Sequence, residues 1–74
     1  MNIERPLDLL NESRNKRVIL ELKNGKRLIG ILKSFDIHIN IVLFDTEEYV
    51  NNELQRKIGI AFVRGDTIIL ISPE

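Results

Sequence analysis

Two runs near the carboxy terminus limit this chain more than any other feature. Ile58-Gly59-Ile60-Ala61-Phe62-Val63 and Ile68-Ile69-Leu70-Ile71 contain no charge, and only Arg64-Gly65-Asp66-Thr67 separates them. Both are rich in β-branched residues, which favour strands. Such a strand left at a sheet edge is a template for aggregation, so each must be paired or covered. With 74 residues the chain has room for one domain and none for a second unit that could cover both. Strand pairing between copies is the remaining solution. A head-to-tail contact that uses two different edges propagates around an axis and can close into a ring, and closure is favoured because it leaves no open ends.

Composition supports this. The chain is 43% hydrophobic, and 16 residues are Ile or Val against four Phe or Tyr, a globular composition with a β bias that excludes disorder and collagen-like structure. No apolar run approaches the roughly 18 residues of a membrane span. The absence of cysteine and the single histidine exclude disulfides, thiolate zinc sites and imidazole-rich metal sites, so no metal or other cofactor is implied. A core this small needs a staple, and oligomerisation is the device left. Met1-Asn2-Ile3-Glu4-Arg5-Pro6 shows neither an export nor a transit pattern, so an intracellular, cytoplasmic location is expected.

Charge sums to zero but is uneven. Residues 14–33 carry Arg14, Lys16, Arg17, Lys23, Lys26, Arg27 and Lys33 against Glu21 alone, whereas residues 34–54 hold five acids and no Lys or Arg. A nonspecific polyanion binder is basic throughout. Nucleic acid, if bound, is expected at a local site.

The whole chain, 1–74, reads as one domain. Pro6 suits a first helical position, and Leu7, Leu9 and Leu10 give an apolar side through about residue 13. Arg5 is a poor cap. From residue 17 the period becomes two, with Val18, Leu20 and Leu22 on one side of a first strand. Asn24-Gly25 suits a type I′ hairpin, in which both central residues take positive φ. A second strand, about 26–35, is apolar on both faces, with Gly30 as a bend point. A third spans about 39–48, Asn51-Asn52-Glu53 marks another hairpin, a fourth spans 55–63 with Gly59 as a second bend, and a fifth spans 67–71. A short helix followed by five bent strands describes an all-β, SH3-like or OB-like small barrel.

Two polar clusters interrupt the apolar pattern, Asp36-Ile37-His38-Ile39-Asn40 and Arg64-Gly65-Asp66. On an extended strand His38 and Asn40 would share one side, opposite Ile39 and Ile41. If both clusters meet, an imidazole and a guanidinium can stack on the two faces of a base while an amide offers a donor and an acceptor to its edge. Asp66 would hold either the Arg64 fork or the Asn40 amide. Spacing alone favours duller roles: a solvated turn histidine, a local turn acceptor and a structural ion pair.

At these residues the sequence resembles the Sm-like (LSm) family, particularly its archaeal members. Leu22, Asn24-Gly25, Gly30, Leu32, Asp36, Asn40 and Leu43 match the first Sm motif within residues 17–49. Ile60, Val63-Arg64-Gly65-Asp66 and Ile68 match the second within residues 55–72, and residues 1–16 form the N-terminal segment with its helix. The resemblance implies a five-stranded, strongly bent antiparallel barrel. It also implies a homo-oligomeric ring, a heptamer with a hexamer as the alternative, joined through strand four of one copy and strand five of the next. U-rich single-stranded RNA would bind near the pore, one base per subunit, with RNA-processing proteins as further partners. Carried across, His38 stacks on the base, Asn40 reads the uracil edge, Arg64 stacks on the other face, Asp66 buttresses the pocket, and Asp36 stabilises or orients the turn. Ile39 stands where Met is common, and His38 and Asp66 stand where many eukaryotic members have an aromatic ring and Asn.

Two other classes fit less well. An SH3-like protein-interaction module needs several exposed aromatics, in which this chain is poor. An enzyme would need a nucleophile, a phosphate-cradling loop or a paired-His metal site, and the sequence offers none. The chain is expected not to be an enzyme.

Overall fold

The structure, a computed structural model, describes residues 5–74. Met1-Asn2-Ile3-Glu4, the start of the stretch read above for an export pattern, lies outside them. A short helix α1 (Pro6–Glu12) precedes five strands, β1 (Arg17–Leu22), β2 (Arg27–Phe35), β3 (Ile41–Val50), β4 (Glu53–Val63) and β5 (Ile68–Pro73), with a single 3₁₀ turn at Gly65–Thr67 before the last. They form one antiparallel sheet in the order β4-β3-β2-β1-β5. This is the all-β bent sheet with an N-terminal helix that the sequence implies.

Alternation builds the core. Val18 and Leu20 of β1, Leu28 and Leu32 of β2, Ile41 and Leu43 of β3, and Ala61 of β4 point inward and are buried together. Ile29 and Ile31 of β2 face outward and are half-buried. The ladder shifts register between Ile29 and Ile31, and again opposite Gly59, which is where the sequence placed its two bends. An unpaired residue at each shift increases twist and curls the sheet toward a barrel. Seven helical residues are too few to stand alone in water, and Leu10 seats α1 on the core. Its start is weakly capped: Asp8 Oδ2 accepts the Arg5 N–H at 3.4 Å.

The hairpins correct one expectation. Asn24-Gly25 is not a type I′ turn: Gly25 takes φ +85°, but Asn24 does not take positive φ. The loop has three residues, Lys23 to Gly25, closed by Gly25 N–H to the Leu22 carbonyl at 3.0 Å and Leu22 N–H to the Lys26 carbonyl at 2.9 Å. A loop of that length closes as a type I turn followed by a left-handed residue, which is why only the glycine needs positive φ. The two-residue primed turn occurs instead at Asn51-Asn52, with φ of 52° and 64°.

The uneven charges meet across strands. Glu48, almost fully buried, pairs with Arg56 at 3.1 Å and Lys26 at 3.9 Å. Arg17 clamps the end of the chain, with Nε donating to Glu74 Oε1 at 2.6 Å and Nη2 to Oε2 at 3.2 Å. Among the described residues no helix is long and apolar enough to cross a membrane.

The sheet leaves β4 and β5 as its two edges. Among the described residues, five of the eight exposed large apolar side chains lie on them: Leu54, Ile60 and Phe62 on β4, Ile69 and Leu70 on β5. Phe62 is 81% exposed. Both charge-free runs thus lie at the positions where, by the argument from sequence, an isolated chain cannot leave them.

Candidate nucleic-acid interface

The candidate side chains sit on two loops that the curled sheet brings together, residues 36–40 between β2 and β3 and residues 64–67 between β4 and β5. The first loop is a turn around a carboxylate. Asp36 Oδ1 accepts the backbone N–H of His38 at 2.8 Å and of Asn40 at 3.1 Å, while Oδ2 accepts the Asn40 side-chain amide at 3.1 Å. An aspartate that captures nearby backbone donors diverts the chain from a strand. Ile39 is left at φ +60°, which a β-branched residue adopts only under constraint. The extended reading of residues 38–40 is therefore corrected. β3 begins at Ile41, and His38 and Asn40 are presented from a turn and not from alternate positions of a strand.

The same three hydrogen bonds, led by that of the Asn40 side chain, hold the Asp36 carboxyl below its ordinary range. A carboxyl with a depressed folded pKa stabilises the native state above its unfolded value of about 3.9, and that contribution is lost as pH falls through the lower folded value. The 36–40 turn is therefore expected to be at full strength at neutral pH and to weaken below about pH 4. Acid titration followed by the amide signals of His38 and Asn40 checks this. In Asp36→Asn those signals should no longer follow the acid limb, and a limb left unchanged would mean that another group carries it.

Asn40 joins the two loops. Its Oδ1 accepts the backbone N–H of Gly65 at 2.8 Å, so the side-chain amide is held at both ends. Rotating it by half a turn would set its oxygen against the Asp36 carboxylate and its NH2 against the Gly65 N–H, so the orientation is determined. One amide hydrogen and one lone pair remain for a ligand. Gly65 permits the approach, because a Cβ there would run into the His38 carbonyl oxygen and lie 2.8 Å from the Ile39 carbonyl carbon and oxygen.

Of the two partners that the sequence leaves open for Asp66, the structure selects Arg64. Arg64 Nη2 donates to Asp66 Oδ2 at 2.9 Å, with the two side chains 81% and 61% exposed. So open a pair contributes only about 0–1 kcal/mol to stability. Thr67 ties the loop from behind, its Oγ1 donating to the Arg64 carbonyl at 2.7 Å.

Asp36, Asn40 and Arg64 line one groove of about 270 Å³, walled by Phe35, Val42 and Phe62. His38 lines the adjoining groove of about 440 Å³ with Gly65, Ile69 and Leu7. The structure thus brings Asn40 and Arg64 together, joins Asp66 to them through Arg64, and sets His38 on the other side of the same pair of loops. All four are exposed. The sequence reading missed the Gly65 N–H as the anchor of Asn40. The available signal was a glycine between two polar residues, which can mark a close backbone approach as well as a turn.

A family model described as the LSM domain matches residues 8–73. A protein of Archaeoglobus fulgidus named as snRNP Sm-like is 49% identical over 69 residues, which cover 93% of this chain and 90% of that protein. Among solved structures, the Pyrococcus abyssi Sm protein in complex with a uridine heptamer superposes with a TM-score of 0.92 at 41% identity, covering 96% of this chain and all of that one. The P. aerophilum SmAP1 heptamer superposes with a TM-score of 0.90 at 34% identity, covering 99% and 97%. With two matched motifs, the bent five-stranded sheet and these similarities over nearly its whole length, the chain belongs to the LSM-domain, Sm-like family.

Proposed function

We propose that the chain assembles as a homo-oligomeric ring that binds U-rich single-stranded RNA, one base per copy, and acts by holding RNA without chemistry. The observation that carries the base assignment is the Asn40 amide, held by Asp36 on its nitrogen side and Gly65 on its oxygen side. What it has left, a donor beside an acceptor, complements uracil O4 and N3–H. Cytosine and adenine present the reverse order. In this reading His38 and Arg64 stack on the two faces of the base, Asp66 aims Arg64, and Asp36 aims Asn40. The two unpaired edges supply the ring contact; two similar archaeal Sm proteins are heptamers, and the P. abyssi Sm protein was solved with a uridine heptamer. Each stacked base contributes on the order of 1–3 kcal/mol, and several sites on one ring raise the effective concentration of the rest of the strand.

The reading places the two motif segments, 17–49 and 55–72, in one domain of residues 1–74, with the ring in the cytoplasm and its outer faces free for RNA-processing proteins. Native mass spectrometry with and without oligo-U tests it. Expected are seven copies, one bound nucleotide per copy at saturation, and weaker binding of oligo-A and oligo-C. A monomer indifferent to uridine polymers would end the proposal.

A further inference from the structure

Asn24-Gly25 closes the first hairpin, and the same pair is equipped for a reaction of its own. A backbone nitrogen attacks the side-chain amide of a preceding asparagine readily only where its own residue leaves it uncrowded, and glycine, with no side chain, does so best. Asn24 is the only asparagine in the chain followed by glycine, and no Asp-Gly pair competes with it. Both residues are exposed, and nothing lies within 4 Å of where a Cβ of Gly25 would stand. The pair is open to water and unhindered.

We infer that Asn24 is a modification site, deamidated through the Gly25 nitrogen, and that the native hairpin holds the reaction shut. The Gly25 nitrogen gives its proton to solvent and bonds to Cγ of Asn24. The bond from Cγ to the side-chain nitrogen breaks, and that nitrogen leaves as ammonia. Water then opens the resulting five-membered imide at one of its two carbonyls, giving aspartate or isoaspartate. In the hairpin both reacting groups are engaged elsewhere: Gly25 N–H donates to the Leu22 carbonyl at 3.0 Å, and Asn24 Oδ1 accepts the Lys26 N–H at 2.9 Å. The peptide plane between the two residues must turn for the nitrogen to face Cγ, which withdraws its N–H from Leu22. Closing the imide then takes Oδ1 off Lys26. Reaction therefore proceeds from an opened loop.

The two products differ in what they do to the fold. Isoaspartate routes the main chain through Cγ and adds one atom to a loop of three residues. That loop is bracketed by Leu22 N–H to the Lys26 carbonyl at 2.9 Å and by Lys23 N–H to the Thr67 carbonyl at 2.8 Å, and an added atom puts both bonds out of register. Aspartate keeps the chain length and an oxygen for the Lys26 N–H. Each product also sets a negative charge between Lys23 and Lys26. This chemistry requires neither a ring nor RNA.

Incubating the full chain in warm, mildly alkaline buffer, native and in guanidinium, and following each asparagine by peptide mapping tests the assignment. In guanidinium, aspartate and isoaspartate are expected at position 24 before any other asparagine, and Gly25→Ala is expected to slow their appearance there. In the native chain the reaction at Asn24 is expected to be slower by about 5- to 150-fold, the factor set by breaking two hydrogen bonds of ordinary net strength. Asn24→Asp is expected to melt close to the wild type, whereas the isolated isoaspartate form melts earlier. Another asparagine reacting first in guanidinium would overturn the site. Equal native and unfolded rates at Asn24 would overturn the closed hairpin, and an isoaspartate form as stable as Asn24→Asp would overturn the role given to loop length.

Discussion

Gly65→Ala is expected to remove oligo-U binding and to destabilise the chain by about 1–3 kcal/mol, the range for forcing volume into a packed contact. The added methyl would meet the carbonyl oxygen of His38 and the carbonyl group of Ile39. These are backbone atoms of a turn already held by three hydrogen bonds to Asp36, so they cannot swing aside as a flexible side chain would. The loops must separate, and the 2.8 Å bond from Gly65 N–H to Asn40 Oδ1 goes with them. Asn40 then loses the fixed orientation on which the proposed uracil recognition depends. Fluorescence anisotropy with labelled oligo-U and a denaturant melt measure the two effects. Wild-type affinity in Gly65→Ala would mean that the contact between the loops does not set the base site.

Replacing His38 or Arg64 with Ala is the second large effect, of a different kind. Both side chains are exposed and neither is part of the core, so each variant is expected to keep its fold and its ring. In the proposed site each removes one stacking face. At roughly 1–3 kcal/mol per stacked base, affinity at a single site falls by about 5- to 150-fold. The loss recurs in every copy, so binding of a strand that spans the ring should drop to the level seen with oligo-A. Lys23→Ala, on the exposed β1–β2 hairpin, should bind oligo-U as the wild type does. Unchanged oligo-U affinity in both His38→Ala and Arg64→Ala would remove these residues from the site.

The strands were readable because their signal is local. Val18, Leu20 and Leu22 alternate within one stretch of chain, and Ile60 to Val63 and Ile68 to Ile71 are runs without charge. The bends were readable for a similar reason, since Gly30 and Gly59 interrupt otherwise bulky strands. Where a side chain competes with the backbone, periodicity misled. Residues 38–40 look extended until the Asp36 carboxylate is seen to collect two of their N–H groups. At Asn24-Gly25 the residue pair suggested a primed turn, but loop length decides turn type, and length depends on where the strand ladder stops. The partners of Asn40 were the least legible part of the site. One of them is a backbone N–H 25 residues away, and no sequence pattern marks which amide a distant loop will deliver.

Because β4 and β5 both end the sheet without a neighbour, a solitary copy lacks part of its own ladder, and assembly and folding strength are linked by mass action. The robustness of each molecule then belongs to the population, rising with abundance and falling on dilution. A nucleic acid strand laid across several protomers opposes dissociation in the same way, since a ligand that favours the closed circle over its separated parts shifts the balance toward the circle. In the proposed ring, cargo and container thus stabilise each other.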